Sequence, residues 1–399
     1  MFKRKLKRIL RRHPWVKWAL PAGVLALGAA VVLVVLLSGA SNQKPPIGSG
    51  GNTTTITLVA GGDLNITEST IASGQVGSSY DYTKVFLDVA EVFAKADAAM
   101  LNFEGNLTTE HDSDDTGTAP LAMAQALSAC GVDFLQTANS RSVAGGILGL
   151  SQTLSAIRSC GMEPVGTFEN KADFNRRQGF ILRNIGGVKV AIVAFTKGMD
   201  GMGLPAGSES CVNLLYTDYT STYKKVNTQG IASILEAVEK AQPDITIALL
   251  HWGSEGNSTI SPTQKKIAKQ MLSLGVDAII GTHSHYVQTV EYDQTAGTVV
   301  AYSLGDLLGD ASAPDTNYSI LLQLQITKDH ATGQTTITGC DYTSVYTLTT
   351  NRDGETMRLV RLESAMTMYE NNHVDRISPK AYENLKTARN KIKNKTGMP

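Results

Sequence analysis

Cysteine is scarce in this 399-residue chain, and the four present, Cys130, Cys160, Cys211 and Cys340, follow no zinc-knuckle spacing. That argues against a structural zinc site built on thiolates. Acidic residues are missing from the first 18 positions, which hold eight lysines and arginines. Charged and polar side chains are missing altogether from residues 19–37. A stretch of that length approaches the ~20 residues a helix needs to cross the hydrocarbon core. No cysteine lies near it, so nothing supports a lipoprotein anchor. The formal charge of zero therefore divides into a basic arm followed by an acidic remainder.

The basic flank predicts a cytoplasmic N-terminus, one transmembrane helix at residues 19–38 and a main domain outside the cell membrane. A cleaved signal peptide is the competing reading, because Ser38-Gly39-Ala40 offers small residues to a peptidase. Either way the domain is exported. Beside a span, the arm at residues 1–18 reads as an orientation signal that meets anionic lipid, with no nucleic-acid partner. Outside the cytoplasm a disulfide can persist, and Cys130 and Cys160 each end a predicted helix in successive units, so a Cys130–Cys160 bridge is expected.

Residues 39–55 have linker composition, and the folded domain is expected at residues 56–350, followed by a helical extension at residues 351–399. Helical spacing of Val85, Phe86, Val89, Val92 and Phe93 predicts a helix over residues 82–95. Similar patterns mark helices over residues 121–130, 147–160, 230–241 and 262–274. Residues 180–185 and 188–195, joined by Gly186-Gly187, read as a β-hairpin, since such a turn needs positive φ. After residue 286 the chain becomes strand-rich, with alternation at Ile320, Leu322, Leu324 and Ile326.

Polar residues recur where short apolar runs end. Asp63, Asn102 with Glu104, Asn139, His251, and the pair His283 and His285 each follow such a run. Three of the seven histidines thus fall at two strand ends. In extended chain, residues two apart point the same way, so two imidazoles can converge on one ion. A sheet gathers its strand ends along one rim. Mixed carboxylate, amide and imidazole donors suit Mn, Fe or Zn, and there are enough for two ions able to bind an oxyanion and activate water. Read singly, each residue has a structural role available: a turn cap, a loop brace, a surface charge.

Gly62-Asp63, Asn102-Phe103-Glu104, Ala138-Asn139, His251-Trp252-Gly253-Ser254-Glu255, Gly281-Thr282-His283-Ser284-His285 with Gln288 and Glu291, and Tyr302-Ser303-Leu304-Gly305 occur here in order. This series resembles the CapA-type poly-γ-glutamate capsule-synthesis family, over about residues 56–310. The resemblance implies an α/β calcineurin-like metallophosphatase fold, a β-sandwich flanked by helices. It implies metal ligands at Asp63, Glu104, Asn139, His251, His283 and His285, and catalytic roles at Glu255 and at the position of Arg141. The implied partners are the membrane, an anionic polymer such as poly-γ-glutamate and other capsule-synthesis membrane proteins. The chain also departs from the pattern: Ser140-Arg141 replaces Asn-His, Ala144 replaces the following Asp, and Asp306 replaces an Asn. An arginine can grip an anion through its planar fork but cannot give up a proton at working pH. Three readings remain open: a metal-binding protein of polymer synthesis or export, a catalytically impaired scaffold, and an extracytoplasmic phosphoesterase.

Overall fold

The computed structural model describes residues 51–108, 117–310, 313–352, 355–371 and 377–398. The basic arm, the expected span and most of the linker lie outside the described residues. Among the described residues, no helix is long and apolar enough to cross a membrane.

The first half of the chain alternates strands with helices. Strand β1 (Thr53–Asn65) leads to helix α1 (Glu68–Ala72), a small hairpin of β2 (Gln75–Val76) and β3 (Ser79–Tyr80), and helix α2 (Thr83–Lys95). Strand β4 (Ala98–Glu104) follows, then a short pair, β5 (Asn106–Thr108) and β6 (Thr118–Pro120), and helix α3 (Leu121–Ala129). Next come β7 (Phe134–Gln136), α4 (Gly146–Ser159), β8 (Glu163–Val165) and α5 (Lys171–Arg177).

The expected hairpin is β9 (Phe180–Ile185) and β10 (Val188–Thr196), turning at Gly186 and Gly187 with φ of 55° and 96°. Helix α6 (Thr228–Lys240), β11 (Ile245–His251), α7 (Pro262–Ser273) and β12 (Ala278–Thr282) continue the alternation. The rest of the chain holds β13 (Val290–Asp293), β14 (Thr298–Ala301), β15 (Asp306–Leu308), β16 (Tyr318–Asp329), β17 (Thr335–Arg352) and β18 (Glu355–Arg361). Helices α8 (Leu362–Glu370) and α9 (Pro379–Thr396) close it. Two expected boundaries move. The domain's first strand begins at Thr53, inside the expected linker, and the expected all-helical extension from residue 351 first contributes β18.

Two sheets result. One runs β18-β17-β16-β1-β4-β7-β8, with β15 paired to the end of β1. The other runs β13-β14-β12-β11-β10-β9. Side-chain alternation explains why both faces of each sheet are apolar. In β1, Ile56, Leu58 and Ala60 point into the core between the sheets, while Val59 and Leu64 join an outer core under α2 and α3. In β10, Val188, Val190, Ile192 and Ala194 share the central core, and Ala191, Val193 and Phe195 pack under α6 and α7. The architecture is thus helix, sheet, sheet, helix. Leu362, Met366, Leu385 and Ile392 of α8 and α9 also enter the central core.

The expected disulfide is not formed: all four cysteines are free. The ends of α3 and α4 do meet, but the Ser128 hydroxyl makes the contact, donating to the Cys160 carbonyl at 2.6 Å. Both thiols pack against the outer core as small apolar groups. Burial pushes the Cys130 thiol up to about 11 and moves that of Cys160 the same way, with the Ser159 hydroxyl opposing.

Candidate metal centre

The carboxyl ends of β1, β4, β7, β11 and β12 and the start of β15 open on one rim, and backbone geometry there differs from the rest of the sheet. Between β1 and β4 the register shifts from Ala60 beside Met100 to Asp63 beside Asn102, leaving one extra residue in β1. Such a bulge re-aims the side chain that follows it. Glycine is required at this crossing: a Cβ on Gly62 would lie 1.8 Å from the Gly305 carbonyl oxygen. The Asp63 N–H donates to that same oxygen at 3.0 Å. Gly281 is similarly confined, since its Cβ would fall 2.0 Å from the Tyr302 oxygen and 2.4 Å from Trp252 Nε1. After β12 the chain turns through His283 and His285, with φ of 90° and 63°. Side chains of this type rarely hold positive φ, and such strain concentrates at functional sites.

The resulting cluster is almost dry. Asp63, Asn102, Glu104, Asn139, His251, His283, His285 and Asp306 are all buried. Asp63 accepts from Asn102 Nδ2 at 2.5 Å through one oxygen and from the His283 N–H at 2.9 Å through the other. Asn139 braces the neighbouring strand end, donating to Asn102 Oδ1 at 3.1 Å and to the Phe103 carbonyl at 2.7 Å, while its own oxygen accepts the Arg141 N–H. Ser140 Oγ donates to Glu104 Oε1 at 2.5 Å. His251 Nδ1 lies 3.2 Å from Thr282 Oγ1, and its Nε2 lies 3.4 Å from Glu104 Oε1 without hydrogen-bond geometry. His285 Nδ1 meets Asp306 Oδ1 at 2.7 Å.

Four donor atoms are left over. Glu104 Oε2, His251 Nε2 and both ring nitrogens of His283 are buried with no hydrogen-bond partner among the described residues. A buried polar atom left unsatisfied costs roughly 1–3 kcal/mol. Glu104, His251 and His283 can bring one donor each within 4.8 Å of one another, as can Asp63, Glu104 and His285. The two groups share Glu104. Imidazoles with carboxylates and no thiolate fit a divalent first-row metal. If Thr282 accepts the His251 Nδ1 proton, the Nε2 lone pair is left free to bind, the usual arrangement for a metal-bound histidine.

Protonation follows the same geometry. Burial, with His251 beside it, keeps the His283 ring well below the ordinary histidine range and hence neutral. Burial also opposes charge on His285, but the bond to Asp306 and the carboxylates of Asp306, Asp63 and Glu104 outweigh it and raise the ring to about 10. Asp306 is pushed up to about 7 by burial against the opposing pull of His285, so the two hold a proton between them. Asp63 is raised by burial and by Glu104. Burial pushes Glu104 upward too, yet the adjacent His251, with His285 and His283, outweighs it and holds the carboxyl below the ordinary range.

The rim gathers Asp63, Glu104, His251, His283 and His285 in one cluster, with Asn139 behind it as a brace. Glu255 stands at the mouth, its side chain 69% exposed and Oε1 3.8 Å from His285 Nε2. Arg141 is half-buried beside Gly117, with Nη1 2.9 Å from where a Cβ on that glycine would lie. Sequence reasoning gave no site role to Ser140, Thr282 or Asp306, and it overlooked Lys197 and Asp200. Lys197 gave no such signal: it is the second residue after the apolar run ending at Phe195, one place beyond the position at which His251 follows its own run.

Comparison with known proteins agrees with the strand-end pattern. A family model described as "Bacterial capsule synthesis protein PGA_cap" matches residues 57–311. "Capsule biosynthesis protein CapA" of Bacillus anthracis is 26% identical over 265 residues, covering 65% of this chain and 61% of that protein. "PGA biosynthesis protein CapA" of Bacillus subtilis is 26% identical over 271 residues, covering 64% of each. The match thus spans less than two thirds of either relative's own length. Among solved structures, the calcineurin-like phosphoesterase YfkN from Bacillus subtilis aligns with a TM-score of 0.44 at 14% identity, covering 73% of this chain and 90% of that one. A phosphatase from Mycoplasma pneumoniae aligns with a TM-score of 0.44 at 13% identity, covering 74% and 94%. With well over half its length matched, from within β1 to just beyond β15, the chain belongs to the bacterial capsule synthesis protein PGA_cap family.

Proposed function

We propose that this protein is a membrane-anchored, extracytoplasmic component of capsule or poly-γ-glutamate synthesis that binds divalent metal at the rim and acts on, or helps export, an anionic polymer. The names carried by its relatives support the polymer. The metal rests on one observation: four buried donor atoms from Glu104, His251 and His283 have no hydrogen-bond partner among the described residues. Asp63, Glu104, His251, His283 and His285 would hold the ions. When bound, such ions polarise an oxygen of the substrate and lower the pKa of water. Arg141 anchors an anion at the mouth, Asn102 and Asn139 fix the strand ends, and Asp306 orients His285. The basic arm and the apolar run at residues 19–37 support anchoring, with the domain outside.

A second reading, a binding or scaffold subunit, is favoured by Arg141 standing where the family resemblance calls for a proton-donating histidine. Elemental analysis of the intact chain, purified from the membrane fraction, separates the two. The expected result is a first-row divalent metal that disappears when His283 and His285 are both changed to Ala, since losing ligands or their supports costs roughly 10–100-fold in affinity apiece. A metal-free native chain leaves the scaffold, and a soluble mature form beginning near Ser41 overturns the anchor.

A further inference from the structure

Two positively charged side chains flank the rim, one from each sheet, and among the described residues neither forms an ion pair. Strands β10 and β11 run parallel with Thr196 beside His251, and the Lys197 N–H donates to the His251 carbonyl at 2.8 Å. Lys197 is therefore the first residue beyond the strand, next to the donor cluster. Its ammonium donates to the Gly253 carbonyl at 2.9 Å and sits 4.5 Å from the centre of the Tyr223 ring. Arg141 leaves the opposite sheet two residues after Asn139, whose side chain accepts its N–H. Among the described residues, no carboxylate comes within ion-pair distance of either cation. A half-buried cation that forms no ion pair keeps its charge for an incoming anion.

Asp200, three residues after Lys197, interacts electrostatically with both cations. It is held at φ 48°, and its carboxyl, pushed up by partial desolvation and then by Glu104 and Glu255, is drawn down by His251 and Arg141. Lys197 in turn is depressed by burial and supported by Asp200 and Glu255. Among the described residues, the mouth thus holds Arg141 and Lys197 with Asp200 and Glu255. That suits singly charged carboxylates spaced along a chain better than a dianionic phosphate, which the two acids would repel.

We propose that Lys197 and Arg141 form a two-sided clamp for carboxylates of a polyacidic chain, holding successive groups on either side of the donor cluster. The clamp rests on the polymer reading above but not on the metal. The planar guanidinium matches a carboxylate in bidentate fashion, and the lysine supplies a point charge on the other wall.

The test is calorimetric titration of the intact chain with a γ-linked glutamate oligomer, comparing native protein, Lys197→Met, Lys197→Arg and Arg141→Met, with metal content measured in each. Each Met variant should bind about tenfold more weakly, in line with loss of one charge-assisted contact, while metal content holds. Lys197→Arg should recover most of the loss. Unchanged binding in folded Lys197→Met overturns the clamp. Equal loss in Lys197→Arg and Lys197→Met also overturns it, because Lys197 is then only a prop for the Gly253 carbonyl. Tighter binding of inorganic phosphate than of the oligomer overturns the carboxylate assignment. Should Lys197→Met fail to fold, the oligomer must protect Lys197 of the native chain from acetylation, read by peptide mass, and lack of protection refutes the proposal. A metal-free native chain whose oligomer binding still depends on Lys197 retains the clamp and removes the metal centre.

Discussion

At the amino end of the parallel strands, Asp97, Asp133, Asp244 and Asp277 each stand just before a strand and accept an N–H from the strand alongside: Thr57, Ala99, Lys189 and Thr246, at 2.7–2.8 Å. Each also donates its own N–H to the same residue's carbonyl at 2.7–2.9 Å. At the carboxyl end, Asp63, Glu104 and Asp306 instead face imidazoles, amides and a hydroxyl, and donor atoms remain unmatched. The same residue type serves as a splint at one end and as a potential ligand at the other. What distinguishes the ends is whether the backbone supplies the partner. A carboxylate matched by main-chain amides is explained by the fold alone, whereas one surrounded by unpartnered nitrogens is not.

The comparison can be broken most forcefully at Asp277. Burial raises its carboxyl to about 6, against the opposing Thr246 N–H, so the folded form holds a proton more tightly than the unfolded chain does. The stability linked to it is complete below about pH 4 and is lost as pH rises through about 6, at up to roughly 1.4 kcal/mol per unit. Asp277→Asn keeps an oxygen for the Thr246 N–H and avoids that loss. Chemical denaturation should therefore find it about 2–3 kcal/mol more stable than native at pH 8, with the gain absent at pH 4. A gain equal at both pH values would mean that the charge is irrelevant.

Asp133→Ala provides the next contrast. It strips the Ala99 N–H of its acceptor and should cost about 1–2 kcal/mol in a urea titration while leaving metal content unchanged. Loss of metal in this variant would show the two ends to be coupled.

The smallest effect should come from His283→Gly at the rim. Glycine accepts the positive φ and removes an imidazole whose nitrogens have no hydrogen-bond partner among the described residues, so with chelator present the protein should gain about 1 kcal/mol while losing metal. A loss of stability would recast His283 as an ordinary core residue and erase the distinction between the ends.

Legibility in the sequence followed the physics of each element. Helix α2 was readable because Val85, Phe86, Val89 and Phe93 fall on one face, and the hairpin because Gly186-Gly187 allows only a few turns. Asp63, His251 and His283 were readable because apolar runs deliver them. Helix α5 and strand β15 escaped, being too short for any period to register. So did Lys197 and Asp200, since the irregular stretch after β10 carries no pattern and is positioned by contacts with other segments. The expected disulfide failed for a related reason: neighbouring helix ends do not say which atoms meet, and here the hydroxyl of Ser128 reached across instead of the thiol of Cys130.

The bond from the His283 N–H to Asp63 joins residues 220 positions apart, and β1 takes its antiparallel flank from β16, later still in the chain. During synthesis, Asp63 is made early and waits through most of translation for its neighbours. Until β12 and β16 have been added, its strand has one edge unpaired and its carboxylate lacks the His283 N–H. A chain that ends prematurely before residue 283 cannot assemble the rim at all, so competence to hold an ion arrives late and becomes a property of the finished polypeptide.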